Sequence, residues 1–503
     1  MDDLVQRPRA AGLSASAQAE ALVRARRLVQ ALARRLDARL VETHVSWVLL
    51  TPDSAYKIKQ PLTLPFLDYG TLAARRQACE DELRLSRRYA PSIYRAVLPI
   101  GGSEDDPLLG GEPPIEFALA MHRFPQEALF SHRAALGTLD EGAIDRLAAW
   151  LSQCHAQAPI APADAPPEPV PQRLDSALAL LDAARGALGE HDAAQLERWL
   201  RRESALLGRL WRRRRDAGRV RDCHGDLHLD NLLWLDGEVA AFDAIEFDPA
   251  LRWIDVLDDA AFVVMDLAAA GRRDLAIRFL CAWLDAGGDH DGLPALRFAC
   301  VDRALVRAMA ASRRDDPALA RRYAAQALQW MRPAAPWLLI TFGLPGSGKT
   351  WSSQQLLQRH GAIRLRSDVE RKRLFGLAML ASSRRAGLDI YGAAATAKAY
   401  ATLFAKARGA LVAGWPVVID AAFLKADERA QARGLARELG VPFRIVECVA
   451  EPDVLAARLA ARRGDASEAD AAVLQRLAQA VEPLDASERL VAMTPAQALD
   501  AHW

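Results

Sequence analysis

Two stretches of the chain carry residue types at spacings suited to chemistry on phosphate. From His224 to Asp248 the sequence reads HGDLHLDNLLWLDGEVAAFDAIEFD, which sets Asn231 five residues after Asp226 and puts Asp243 beyond an apolar hairpin. A carboxylate at Asp226 can take the proton of an attacking hydroxyl, while Asn231 and Asp243 offer the hard oxygen ligands that magnesium prefers. The second stretch, GLPGSGKT from Gly343 to Thr350, fits G-x-x-x-x-G-K-[ST] in full. An apolar strand, WLLITF, precedes it and a helical stretch follows, as the motif requires. Backbone amides of Gly343, Gly346, Ser347 and Gly348 would cradle phosphates at a helix N-terminus. Lys349 would reach the β- and γ-phosphates, and Thr350 would give its hydroxyl to magnesium. Both stretches therefore call for ATP and Mg2+ as cofactors, and for phosphoryl transfer to a hydroxyl.

Other elements must position these groups. Apolar stretches His44 to Thr51 and Ala55 to Gln60 flank the turn-forming Pro52-Asp53-Ser54, so they should pair as a hairpin, with Lys57 and Lys59 of YKIK on one face. A helix is expected over Thr71 to Tyr89. At about 100° per residue Glu82 falls inside the arc of Cys79, Ser86 and Tyr89, facing the core, whereas Glu80 lies on its outer flank. Beyond the glycine-rich loop, strand and helix alternate, the pattern of a parallel α/β sheet. There AIRLRSD leads to Asp368 with Arg371 one helical turn later, and PVVID ends in Asp420, either a metal-site carboxylate or a helix N-cap. Arg462 and Arg463 close a later helix.

A chain of 503 residues is too long for one typical core. The composition shift at Arg332-Pro333-Ala334-Ala335-Pro336 suggests domains of residues 1–335 and 336–503, the first bilobal α+β and the second α/β. The second is expected to fold and bind nucleotide alone. The Pro-rich PIAPADAPPEPVP reads as a loop between helices, and residues 16–39 as an amphipathic surface helix. With 65 basic against 64 acidic residues, extended nucleic-acid or membrane-surface contact is not expected. Six cysteines without C-x-x-C spacing suggest neither zinc nor a disulfide framework, and no run of 18 apolar residues occurs. A cytosolic location is the expectation.

The first stretch resembles the aminoglycoside phosphotransferase and choline kinase family, whose signature HGDxxxxN is followed by an Asp on the next hairpin. The similarity covers roughly residues 40–310 and takes in PALRWIDVLDDAAFVVMDL, with Asp255 at the usual structural Asp. It implies a protein-kinase-like bilobal fold with Asp226 as catalytic base and Asn231 and Asp243 as magnesium ligands. It also implies a phosphate-gripping lysine (Lys57 or Lys59, the latter preferred), a partner glutamate (Glu80 or Glu82, the latter favoured by periodicity), and a hinge near Met121 to Phe124 whose backbone meets adenine. The chain departs from the family at THVSW, which lacks the usual glycine. Residues 336–503 resemble the polynucleotide kinase, gluconate kinase and zeta-toxin group of P-loop kinases. That resemblance implies that Asp368 activates an acceptor hydroxyl, that Arg371 holds the acceptor, that Asp420 is at the Walker B position, and that Arg462 and Arg463 neutralise the transferring phosphate. The expected partner is a small-molecule hydroxyl acceptor. Two rival readings are a regulatory protein with one non-catalytic nucleotide site, and an RNA-end kinase.

Overall fold

The computed structural model describes residues 15–64, 67–162, 170–462 and 464–502. Arg463 lies outside the described residues, as does the middle of the Pro-rich segment. The chain forms two compact units. The first comprises the described parts of residues 1–138, 158–167 and 220–255, and the second the described parts of 139–157, 168–219 and 256–503.

In the first unit a six-stranded antiparallel sheet runs in the order Arg39–Glu42, Ser46–Leu50, Ser54–Lys59, Glu116–His122, Tyr94–Gly102, Pro107–Leu109. The expected hairpin is present, closed by Thr51 and Ser54. The helix expected over residues 16–39 is shorter, Ala15–Arg35. Asp37 adopts a left-handed φ of 49° and Ala38 donates back to the Ala33 carbonyl, so the chain stops winding and enters the strand Arg39–Glu42. That edge strand is too short and too exposed to leave an alternating signature. Leu28, Val29 and Leu32 of the helix pack on Trp47, Leu49 and Ile58 of one sheet face. Helix Leu72–Ser86 starts where Thr71 caps the Ala74 amide (3.1 Å) and buries Ala78, Cys79, Glu82, Leu85 and Ser86, a stripe at helical spacing.

Strands Leu232–Leu235 and Glu238–Ala241 form a hairpin whose two turn residues, Asp236 and Gly237, both have positive φ (52° and 84°). This is the turn that Asp-Gly favours, because its twist matches the strands. The hairpin returns the chain to its start: the Phe242 amide donates to the Asn231 carbonyl at 3.0 Å, which brings Asp243 beside Asn231.

The second unit contains a five-stranded parallel sheet in the order Ile363–Arg366, Val417–Asp420, Leu338–Phe342, Phe443–Glu447, Ala492–Met493. Helices that precede the sheet in sequence belong to the same unit, so residue 336 falls inside it. Helix Arg273–Gly287 lies against strand Ile363–Arg366. Cys281 Sγ meets the Ala362 carbonyl (3.6 Å), and buried Asp285 accepts from Arg364 at 3.2 Å. Arg373 donates to the Leu284 and Asp285 carbonyls at the end of that helix, and Trp415 Nε1 to the Leu293 carbonyl. A fragment starting at residue 336 would give up all of these.

His290 is buried in this packing, with Lys406 at 3.3 Å from Nδ1 and Glu370 bridging Lys406 and Arg373. Burial, then the Lys406 charge, push its imidazole down to about 3. Because the folded protein resists a proton that the unfolded chain accepts near pH 6.5, this residue's contribution is present above that pH. It is lost as pH falls towards 3, with a limiting slope of about 1.4 kcal/mol per pH unit. Urea denaturation between pH 7.5 and 5.5 should therefore show a steeper loss of stability in wild type than in His290→Gln.

Candidate functional site

The first unit gathers its candidates around one buried ion network. Gly225 turns the chain into Asp226 with φ 85°, and a Cβ there would sit 2.6 Å from the Leu251 carbonyl. His224 is fully buried. Its Nε2 lies 3.1 Å from the Phe242 carbonyl and its Nδ1 accepts from the Asp226 amide, which fixes a neutral tautomer and holds the loop. Asn231 spends its amide nitrogen on the Asp226 carbonyl (2.9 Å) and carboxylate (3.2 Å), leaving its side-chain oxygen as the group available to a cation. Asp243 is a non-glycine residue at φ 64°, a conformation that surrounding structure must enforce, and its amide donates to Tyr94 Oη at 2.9 Å.

The structure distinguishes the two lysines by their partners and exposure. Lys57 donates to Glu82 (2.9 Å) and also to Asp243. Lys59, 1% exposed, is enclosed by Glu82 and Glu246, with Tyr69 also on Glu246. Burial opposes the charged form of both lysines, but the carboxylates around them hold both well above the ordinary range. Asp243 is likewise held low by Lys57 and Lys59 against the effect of burial. Glu82 is fully buried between the lysines, whereas Glu80 pairs with Arg76 at the surface. Met121 lies inside the sheet in register with Ala55 and Tyr94, and the next two amides donate to the Ile93 and Asp53 carbonyls. Of the expected hinge at Met121 to Phe124, the first three residues are thus engaged in strand and turn pairing. Between the first two strands, Thr43-His44-Val45 forms a tight turn closed by Thr43 and Ser46 and braced by Gln60, with no glycine.

In the second unit a cavity of about 660 Å³ is lined by Gly346, Gly348, Lys349 and Thr350 together with Asp368 and Asp420. Gly343 and Ser347 form the loop behind. Lys349 Nζ folds back on the Gly343 and Leu344 carbonyls at 2.9 and 2.8 Å, and burial lowers its ammonium against the pull of Asp420. Asp420 accepts from Ser353 (3.2 Å) and faces Arg366 at 3.7 Å. It does not cap the next helix, whose N-cap is Lys425. Arg366 continues to Asp465 at 2.6 Å, and Arg462 approaches Asp465 at 3.8 Å. Asp368 and Arg371 lie on helix Ser367–Leu374 and line the same cavity as Tyr391, Tyr400 and Glu428.

Sequence reasoning missed Glu246, Tyr69, Arg366, Asp465 and the two tyrosines. Glu246, three residues past Asp243, and Arg366, two before Asp368, stood close enough to the motifs to be considered. The others come from distant segments.

The fold and both sites define a chain of two phosphotransferase-type domains. Residues 71–299 match the model of the phosphotransferase enzyme family, and residues 338–484 that of an AAA domain of the P-loop kinase type. An uncharacterized protein of Mycobacterium tuberculosis is 30% identical over 469 residues, covering 90% of this chain and 92% of its own, and one of Mycobacterium bovis matches equally. The chain belongs to the family of these mycobacterial proteins. Among solved structures it is similar to a choline/ethanolamine kinase family protein from Mesorhizobium loti (11% identity, 61% of this chain and 95% of that one, TM-score 0.37). It is also similar to a gluconokinase from Sinorhizobium meliloti (22% identity, 33% and 86%, TM-score 0.23).

Gly343 tests how tightly the phosphate loop is built. Its φ is 151°, and a Cβ would lie 2.3 Å from the Cys448 carbonyl, a backbone atom that cannot swing aside. Gly343→Ala should cost about 1–3 kcal/mol of stability and weaken nucleotide binding while far-ultraviolet circular dichroism stays native. Unchanged ATP affinity by calorimetry would show that the loop has slack.

Proposed function

We propose that the protein is an ATP- and magnesium-dependent phosphotransferase that moves the γ-phosphate to a hydroxyl of a small molecule, with a nucleotide site in each unit. The observation that carries this reading is the shared cavity of the second unit, where a phosphate loop, the metal-site carboxylate Asp420 and the candidate base Asp368 line one space. There the loop amides and Lys349 bind phosphate, and releasing Lys349 from its two carbonyls requires only a better acceptor. Asp368 takes the acceptor's proton as the oxygen attacks in line. Thr350 and Asp420 would hold magnesium, which neutralises charge on the phosphates when bound. Arg462 supports the transferring group from the far side.

In the first unit the donor set fits the same chemistry: the side-chain oxygen of Asn231 and the ionised Asp243 for the metal, Lys57 for phosphate, Glu82 to orient Lys57, and Asp226 as base. Lys59 is then the structural member, neutralising Glu82 and Glu246. Among the described residues no helix is long and apolar enough to cross a membrane, and the scattered cysteines are free thiols. Both facts are compatible with a cytoplasmic enzyme acting on a diffusible acceptor, and the near-neutral charge disfavours an RNA-end substrate.

A second reading applies to the first unit alone. Its Thr43-His44-Val45 turn lacks the glycine that would let backbone amides approach the phosphates, which favours a site that binds nucleotide without transferring it. The readings separate in a Lys349→Ala background, where turnover of Mg-ATP over sugars, amino alcohols and nucleosides reports the first site only. Asp226→Asn should then lower transfer by roughly 10² to 10⁴ while ATP still binds. No turnover before the second substitution makes the first unit a sensor. Asp368→Asn in the otherwise intact chain should keep ATP affinity and lose transfer at the second site, and wild-type rates would remove its role as base.

The lysines give a separate test. Lys57→Ala should weaken nucleotide binding in the first unit with modest loss of stability. Lys59→Ala should instead destabilise by about 3–5 kcal/mol, because it strands buried carboxylates. Thermal denaturation and ATP titration of both variants check this, and equal behaviour would sink the division of labour.

A further inference from the structure

Helix Ser367–Leu374 presents Asp368 to the second cavity and hides a second carboxylate behind it. Glu370 is 2% exposed, does not line the cavity, and lies two residues past Asp368, about 200° around the helix axis. One of its oxygens accepts from Arg373 and the other from Lys406 at 2.5 Å. Arg373 reaches on to the Asp285 carbonyl (2.5 Å) and the Leu284 carbonyl (3.4 Å), where helix Arg273–Gly287 ends. It passes over Gly288, at which a Cβ would lie 2.6 Å from its Nε. Lys406 belongs to helix Ala393–Val412 and stands 3.3 Å from His290 Nδ1. Among the described residues Glu370 is the only carboxylate within ion-pair distance of either cation. One buried carboxylate therefore fastens the back of this helix to two others.

The helix depends on such fastening. It has eight residues, and Arg366 at its N-cap makes no side-chain capping bond, so it has little stability of its own. Arg371 and Lys372 bind the segment that follows the helix, at Ile390, Thr396 and Met379. The tie through Glu370 and Arg373 reaches helix Arg273–Gly287 instead, which is packed on strand Ile363–Arg366 through Cys281 and Asp285. That strand belongs to the sheet that also carries the phosphate loop. We propose that Glu370 is a positioning residue of the second site, setting the rotation of helix Ser367–Leu374 and so the direction of the Asp368 carboxylate, without itself meeting nucleotide or acceptor. This rests on the phosphotransferase reading of that site. Rotation of so short a helix moves its two faces together, and a reacting group displaced by about 1 Å can lose about 10² in rate.

The test uses the full chain carrying Lys57→Ala and Asp226→Asn, which disable the first site, so that Mg-ADP binding and ATP turnover report the second. Turnover is read over sugars, amino alcohols and nucleosides, or as ATP hydrolysis where none is consumed. Glu370→Gln should lower turnover roughly 10- to 100-fold and leave Mg-ADP affinity unchanged, because the phosphate loop lies on other elements. In a chain that also carries Asp368→Asn the same substitution should have no further effect, since a misplaced base and an absent one are equivalent. Amide hydrogen exchange should quicken across residues 367–374 and keep its rate in strand Leu338–Phe342. If Glu370→Gln does not fold, because Lys406 and Arg373 are left uncompensated, Arg373→Gln loosens the same tie from its partly exposed end and should show the same effects more weakly. Wild-type turnover in the folded variant, a loss that adds in full to that of Asp368→Asn, or unchanged exchange across residues 367–374 overturns the proposal. A plain structural ion pair would instead lower Mg-ADP affinity and turnover in step with stability, and that result overturns it too. A second site that binds no Mg-ADP before the Glu370 substitution would sink the phosphotransferase reading, while exchange still decides whether Glu370 holds the helix.

Discussion

Lys57 and Lys59 stand two residues apart on one strand, the first largely and the second fully withdrawn from solvent, and each must find negative charge or forfeit its own. Glu82 answers both from helix Leu72–Ser86, and the segment after the Asp236-Gly237 hairpin supplies Asp243 to one and Glu246 to the other. That segment reaches the sheet only because the hairpin returns it there. Strand, helix and hairpin are thus held in mutual register by compensated charge, and removing one member takes a charged partner from each of its neighbours. The geometry that keeps Asp243 ionised and turned towards Asn231 comes from the same network.

Such a network separates what a sequence can and cannot reveal. Asp226, Asn231 and Asp243 were legible because local rules bind them: a glycine turn, a short loop and a two-residue hairpin leave little freedom. The phosphate loop was legible for the same reason, its glycines fitting only where backbone crowds them. Glu82 was preferred over Glu80 by helical period. Lys57 and Lys59 could not be separated, because a strand's period of two puts both on one face, and only the arrival of Asp243 and Glu246 from far along the chain distinguishes them. Tyr391, Tyr400 and Asp465 reach the second cavity from segments whose approach depends on the tertiary packing, and no spacing encodes that. The strand Arg39–Glu42 was hidden for a simpler reason, since an exposed edge of four residues has no alternating pattern to read.

Arg366 repeats the logic in the second unit. It lies two residues before Asp368, faces Asp420 and is bonded to Asp465. Burial opposes its charge, yet Asp420, Asp285 and Asp465 together hold it fully protonated. Two of these carboxylates come from the P-loop fold, and Asp285 comes from a helix that precedes the sheet by many residues. The electrostatics around Asp420 therefore depend on sequence outside the matched AAA domain.

Helix Ser367–Leu374 shows how that dependence reaches the chemistry. At about 100° per residue, Asp368 and Arg371 fall on one side, facing the cavity, while Glu370 and Arg373 fall on the other. Arg373 grips the carbonyls that end helix Arg273–Gly287, where Gly288 leaves room for it, and Glu370 ties Arg373 to Lys406. A helix this short has little stability of its own, so its orientation is set by what its back face holds. Asp368 and Arg371 are presented to the cavity by a helix whose back face is anchored on helix Ala393–Val412 and on helix Arg273–Gly287, the latter lying, in sequence, within the match to the phosphotransferase family. Part of the packing behind the second unit's cavity is thus supplied by sequence outside the matched AAA domain.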